Sequence, residues 1–205
     1  MPIQSTSLLP VILFTYEEMK PDLSRVTLVC YENKNWEAAL SLISAMLKLA
    51  NFGGVLWRNW HRDYSEYVRA DICGTANLVH TSHFLTVRLD GYILHPECWD
   101  PSWLEYDYIG APWRASVSPL AVGNGAFSLR SRRLYDRVAQ LPPQPDFEPD
   151  YTVCCYYRKL LEIEGFRWAP VEAAAQFCVE HPISYTPDRT FGFYGTHSGR
   201  KPWSV

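Results

Sequence analysis

Val26-Thr27-Leu28-Val29-Cys30 is a short apolar run rich in β-branched residues, closed by the polar Tyr31-Glu32-Asn33-Lys34. That composition predicts a buried strand that ends in a loop. Downstream, Trp36, Ala39, Leu40, Ile43, Leu47 and Ala50 recur at helical spacing, with Asn33 or Asn35 available as N-cap and Gly53-Gly54 as the stop. Val55-Leu56-Trp57 then resumes as a strand. Strand, helix and strand with short joints form a βαβ unit, and such units build parallel sheets. The predicted fold class is therefore α/β, a mixed and mainly parallel sheet flanked by helices.

Further along, Phe84 to Leu89 reads as a strand running into Asp90-Gly91, while residues 63–82 have no decided periodicity. Pro96 to Pro119 is rich in Trp and Pro and reads as an ordered loop region. Ser131 can cap a helix to about Leu141, ended by Pro142-Pro143; a second helix runs from Asp150 to about Glu164 and stops at Gly165. Phe166 to Ala169 reads as a short strand, Val171 to Phe177 as a short helix, and Phe191 to Gly195 as a glycine–aromatic loop.

Composition bounds the rest. The 205 residues carry a formal charge of −3, which gives no general attraction to nucleic acid, and 8 Trp, 13 Tyr and 9 Phe, which suit a deep core and a stacking cleft. This length fits one domain over 1–205, with 1–24 as an arm or strand, 25–197 as core and 198–205 as tail. The six cysteines form no CxxC pair, so they read as reduced, buried thiols of a cytoplasmic protein. Leu8 to Phe14 is apolar, but Pro10 and the shortness of the run fit neither a signal peptide nor a membrane span of about 20 residues.

Several positions have residue types that carry chemistry. In open α/β sheets ligands sit beyond the carboxyl ends of strands, which is where Asp90 stands. A carboxylate there can hold a divalent cation, although Asp-Gly is also a common turn pair. Asp107 lies in an aromatic loop and suits a sugar hydroxyl, or else the loop is simply stapled to the core by Tyr108 and Trp113. Gly123-Asn124-Gly125 permits close backbone approach to a ligand, or makes a tight turn. Arg130, Arg132 and Arg133 read as a solvated face rather than a phosphate site. Glu148 and Asp150 flank Pro149 at a helix start, where the helix dipole lowers a carboxylate's pKa and capping competes with a role as general base.

Taken in order, TSHFLTVRLDGYIL (81–94), EYDYIGAPW (105–113) and VGNGAFSLRS (122–131) resemble the signature segments of a bacterial and viral glycosyltransferase family. That family is similar to the GT-A type nucleotide-sugar transferases, and the resemblance spans roughly 25–197. It implies a GT-A-like (Rossmann-like) fold and transfer of a sugar from a nucleotide-diphospho-sugar to an acceptor hydroxyl. A divalent cation, Mn²⁺ or Mg²⁺, would sit at Asp90, with Asp150 as base in an inverting displacement beside Glu148. Arg88 stands in place of the first acid of the Asp-x-Asp motif, so either the metal binds less well or Arg88 meets the diphosphate. FGFYG (191–195) resembles a Phe-Gly-Phe-His-Gly motif, with Tyr194 at the metal-binding histidine and His197 as a displaced substitute.

The resemblance further implies that Gly91, Asp107, Gly123, Asn124 and Gly125 line the donor cleft. Together with the strand-end rule it places Tyr31 (stacking), Glu32, Asn33 and Arg58 around the nucleotide. The acceptor stays open among a glycan, a protein, a small molecule and a modified DNA base. The chain is short for a GT-A enzyme, which implies a small acceptor region or a homo-oligomer. The rival readings are a non-catalytic nucleotide-sugar or glycan-binding protein and a protein-interaction module built on the aromatic loop.

Overall fold

The computed structural model describes residues 20–59, 74–113, 122–144, 147–180 and 188–195. Strand β1 (Asp22–Tyr31), helix α1 (Trp36–Leu49) and strand β2 (Asn51–Arg58) form the expected right-order unit, with β1 and β2 parallel. Asn35 is the N-cap, its side-chain oxygen accepting from the Ala38 amide at 2.9 Å. The helix ends at Ala50, however, and Gly53-Gly54 do not stop it; they lie inside β2. The pairing register shifts between Leu23 and Thr27, and a Cβ on Gly53 would run into the Ser24 carbonyl. These glycines therefore let two backbones approach, a use that sequence spacing does not distinguish from a helix stop.

Strand β3 (His83–Val87) pairs parallel to β1 on its other side. After the short strands β4 (Gly91–Ile93) and β5 (Tyr108–Gly110), the chain enters β6 (Phe127–Ser131), which pairs antiparallel to both β3 and β5. The sheet order is β2-β1-β3-β6-β5, a mixed sheet in an α/β architecture as predicted. Strand β6 alternates apolar Phe127 and Leu129 with polar Ser128 and Arg130, yet all four are buried, so the strand lacks the solvent face that such a pattern predicts.

Both faces of this sheet are covered. Along β1, Val26, Leu28 and Cys30 pack with Leu42 and Met46 of α1, while Val29 and Tyr31 belong to the opposite core. Buried Trp103, Phe127, Phe177 and Phe191 extend the first core. Tyr108, Tyr135, Val153 and Leu161 build the second. Strands buried on two faces read as near-continuous apolar runs, as residues 26–30 of β1 do, whereas β3 keeps His83 and Thr86 buried among its apolar residues.

Helix α2 (Arg132–Val138) starts at Ser131, whose hydroxyl accepts from the Leu134 amide. The predicted helix from Asp150 is broken into α3 (Pro149–Tyr151), a π-helical turn (Thr152–Tyr156) and α4 (Arg158–Ile163), and it ends at Gly165 with φ +88°. Helix α5 (Val171–Phe177) leads into β7 (Cys178–Val179). Residues 166–169 contribute a single bridge, Trp168 to Tyr108, instead of a strand.

Two 3₁₀ turns, Pro96–Cys98 and Pro101–Glu105, together with β5 occupy the loop region expected from Pro96 onward. The glycine–aromatic loop is in fact strand β8 (Gly192–Tyr194), which joins β4 and β7 in a small second sheet. A Cβ on Gly192 would strike the Phe127 ring, so glycine there lets the small sheet lie against the large one.

Cys30, Cys154 and Cys178 are buried free thiols, and burial pushes those of Cys30 and Cys154 up to about 12. Cys98 and Cys155 are in no disulfide and are half-buried, so only part of the buried-thiol expectation holds for them. Cys73 lies outside the described residues. No helix among the described residues is long and apolar enough to cross a membrane.

Candidate functional site

A cleft of about 230 Å³ opens where β3, the loop before β6, α3 and β8 meet. It brings together Arg88, Asn124, Gly125, Glu148 and Asp150, five of the residues singled out from sequence. Trp113, Ala126, Pro149, Glu180 and Tyr194 complete its described lining.

The glycine-rich loop is built around Asn124, which adopts the left-handed region at φ 64°, a conformation Asn tolerates better than most residues. Its side-chain oxygen accepts from the amides of Ala126 (2.9 Å) and Phe127 (3.3 Å), and its side-chain nitrogen donates to Glu180 at 3.0 Å. Its backbone carbonyl accepts from the buried Tyr108 hydroxyl at 2.9 Å. Asn124 thus shapes the loop from within. A Cβ on Gly123 would run into the Trp113 ring, so that glycine lets an indole face line the cleft.

Gly125 links the two charged groups of the site. Its amide donates to Asp150 Oδ2 at 2.8 Å, and its carbonyl accepts from Arg130 Nη2 at 2.8 Å. Arg130 is fully buried; its Nε donates to Ser128 Oγ, and its guanidinium lies 5.1 Å from the Tyr135 ring centre and 5.6 Å from that of Tyr108. The expectation of a solvated arginine face fails here. Buried arginine is rare, and the two rings and the loop carbonyl are what hold this one.

Asp150 also departs from expectation. It caps no helix, because α3 is a three-residue turn and Glu148 stands at the N-cap without a side-chain cap bond. Burial pushes the Asp150 carboxyl up, and the nearby Arg130 charge and the Tyr151 amide offset this only in part. The carboxyl is thus raised where the helix-dipole argument expects it lowered. A raised carboxylate is a stronger base than an exposed one.

Asp90 and Gly91, expected in the donor site, are not among the residues that line the cleft; a fixed turn holds them next to Arg88. The Gly91 amide donates to the Arg88 carbonyl at 2.9 Å, the Arg88 amide to the Ala126 carbonyl at 3.1 Å, and the Gly195 amide to the Asp90 carbonyl at 2.9 Å. The β4–β8 register sets Tyr194 opposite Gly91, directly after Asp90. Burial raises the Tyr194 phenol; the charges of Asp90, Glu180 and Asp150 add to this and that of Arg88 opposes it.

This donor set does not match the cation that the resemblance implies. Among the described residues no three His, Cys, Asp or Glu side chains converge to hold a metal ion. Position 194 offers a protonated phenol and position 88 a guanidinium. His197 lies outside the described residues.

Other predicted residues sit elsewhere. Asp107 is 2% exposed and its carboxylate is consumed internally, by the Ser131 hydroxyl, the Arg133 guanidinium and the Arg167 amide at 2.9 Å. It borders a separate cavity beside His83 and Ser131, at the opposite end of β3 from Arg88, so it does not reach the donor cleft. Tyr31 is buried with its hydroxyl bonded to Thr75, which removes it from base stacking. Glu32 accepts from the amides of Lys34 and Asn35 and so shapes the α1 entry. Asn33 is exposed on that loop, and Arg58 lies against Gly74. None of these four lines the cleft.

Glu180 is the residue that sequence reasoning missed. It follows the short strand β7, so the strand-end rule applied to Asp90 would also have marked it.

Comparison with known proteins adds a family. No curated protein matches the sequence. Among solved structures, the chain is similar to a glycosyltransferase involved in the glycosylation of the major capsid of PBCV-1. The two share 14% identity over 82% of this chain and 91% of that one, with a TM-score of 0.49, a likeness that assigns no activity. A family model described as "Protein of unknown function (DUF5672)" matches residues 75–194, which is more than half of the chain and takes in every described residue lining the cleft. The chain therefore belongs to the DUF5672 family.

Proposed function

We propose that the protein is a glycosyltransferase that moves a sugar from a nucleotide-diphospho-sugar to an acceptor hydroxyl. The observation that carries this reading is the Asp150 carboxylate, raised by burial, aimed by the Gly125 amide and sharing one cleft with Arg88. A base and an anion-binding cation in one cleft are what such a transfer needs. The three signature segments that resemble a glycosyltransferase family converge on this region, which supports the same reading.

In the reaction, the acceptor oxygen attacks the anomeric carbon as its proton passes to Asp150. The bond from that carbon to the diphosphate oxygen breaks, and the nucleoside diphosphate leaves with the electron pair. General-base assistance of this kind contributes roughly 10²–10⁴ in rate. Trp113 offers a flat face for a sugar ring, and Glu180, steadied by Asn124, accepts hydrogen bonds from sugar hydroxyls. An in-line displacement inverts the anomeric centre. Glu148, exposed at the cleft rim, adds negative charge that favours proton uptake by Asp150.

A thermal-shift screen of nucleotide sugars tests this. A ligand at a hundredfold excess over its Kd adds about 2.7 kcal/mol of stability. One nucleotide sugar is expected to raise Tm, with the shift abolished when Gly125 is replaced by a bulky residue. No shift across a full panel of bases and sugars contradicts the reading. A shift without turnover on any acceptor class would leave a binding protein in its place.

A further inference from the structure

The mismatch between the cleft and a metal site points to how the diphosphate is held. We propose that this chain binds its nucleoside diphosphate without a divalent cation, the Arg88 guanidinium supplying the positive charge and the Tyr194 phenol donating a hydrogen bond. The inference rests on the nucleotide-sugar reading above.

A diphosphate entering this cleft meets the carboxylates of Glu148, Asp150 and Glu180, and an anion is admitted there only beside a fixed cation. Among the described residues Arg88 is the cation that lines the cleft; Arg130 is fully buried beneath Gly125. Arg88 has the geometry for the role. It is exposed, it stands one residue past the carboxyl end of β3, and its backbone is pinned on both sides, by the Ala126 carbonyl and the Gly91 amide. A guanidinium on a rigid base presents a planar fork that fits phosphate oxygens in pairs.

Two of the carboxylates in this region are already engaged within the fold. Asp150 already accepts from the Gly125 amide through Oδ2 and from the Tyr151 amide through Oδ1, and Glu180 accepts from Asn124, which leaves each carboxylate fewer lone pairs for a cation. No three metal-ligating side chains converge among the described residues. Tyr194, fixed opposite Gly91 by strand pairing, presents a phenol, which donates a hydrogen bond where the resemblance expects a metal-binding histidine.

The test is calorimetric titration of uridine, guanosine, adenosine, cytidine and thymidine diphosphates into the full chain, each with Mn²⁺ and with chelator. One diphosphate is expected to bind with the same Kd in both conditions. Arg88→Ala should weaken it by roughly tenfold or more, the loss expected for a charge-assisted hydrogen-bonded contact, and Tyr194→Phe should weaken it less. Circular dichroism and Tm of Arg88→Ala, measured beside its Kd, separate lost binding from lost folding. The double variant Arg88→Asp/Tyr194→His should bind the diphosphate only with Mn²⁺.

Wild-type binding that vanishes in chelator overturns this inference while leaving the nucleotide-sugar reading intact. Wild-type affinity in Arg88→Ala overturns it as well. No binding of any diphosphate in either condition overturns both.

Discussion

Replacing Arg130 with Met tests whether the cleft is held from beneath by a buried charge. The substitution keeps much of the volume and removes a guanidinium that donates to Ser128 Oγ and the Gly125 carbonyl and lies against Tyr108 and Tyr135. Removing one member of a buried charge pair costs about 3–5 kcal/mol. At about 2–4 °C per kcal/mol for a chain of this size, Tm should fall by roughly 6–20 °C.

The pH dependence is more specific still. The folded-state pKa of Asp150 is raised, so stability linked to its proton is full below the unfolded value near ~3.9 and is lost as pH rises through the folded pKa. Arg130 pulls that pKa down, and without it the folded value climbs further. The stability deficit of Arg130→Met should therefore be smallest near pH ~4 and widen toward neutral pH. Differential scanning calorimetry across that range reads it directly. A deficit that stays constant with pH, or a Tm loss below about 2 °C, would refute the linkage of Arg130 to Asp150.

Three further variants separate site from scaffold. Asp150→Asn should abolish transfer while the chain still folds and binds its donor, at some cost in Tm because the buried Arg130 charge loses its counter-charge; transfer at the wild-type rate would return Asp150 to a structural role. Asp107→Ala should do the reverse, costing roughly 1–3 kcal/mol by stranding the buried Ser131 hydroxyl and the Arg167 amide. Its ligand affinity should stay at the wild-type value, and a large rise in Kd would restore the donor-binding role read from the sequence. Gly110→Ala puts a methyl into the carbonyls of Gly123 and Asn124 and should cost about 1–3 kcal/mol while erasing the ligand-induced thermal shift. An unchanged shift would show that the loop position does not matter.

What the sequence disclosed and what it hid follow from physical causes. The β1–α1–β2 unit was legible because β1 is buried on both faces and α1 on one, so burial leaves a periodic trace. Strand β6 was not, since its polar positions Ser128 and Arg130 are buried where an alternating pattern places them on a solvent face. For the same reason Arg130 looked like surface. Asp90, Asp107 and Asp150 are equally plausible site acids in one dimension. Only the fold shows that Arg133 and Ser131 claim Asp107 while Asp150 faces the cleft. Gly53-Gly54 read as a helix stop because the cue for close backbone approach, the Ser24 carbonyl, lies almost thirty residues earlier.

The central claim is sugar transfer in the Asp150 cleft, and its most direct measurement is mass-spectrometric detection of nucleoside diphosphate released from a panel of nucleotide sugars, comparing the wild-type chain with Asp150→Asn. Release from one nucleotide sugar by the wild type, falling by about a hundredfold or more in Asp150→Asn while binding of that donor persists, is the predicted result. Release at equal rates by both proteins, or by neither, would contradict it.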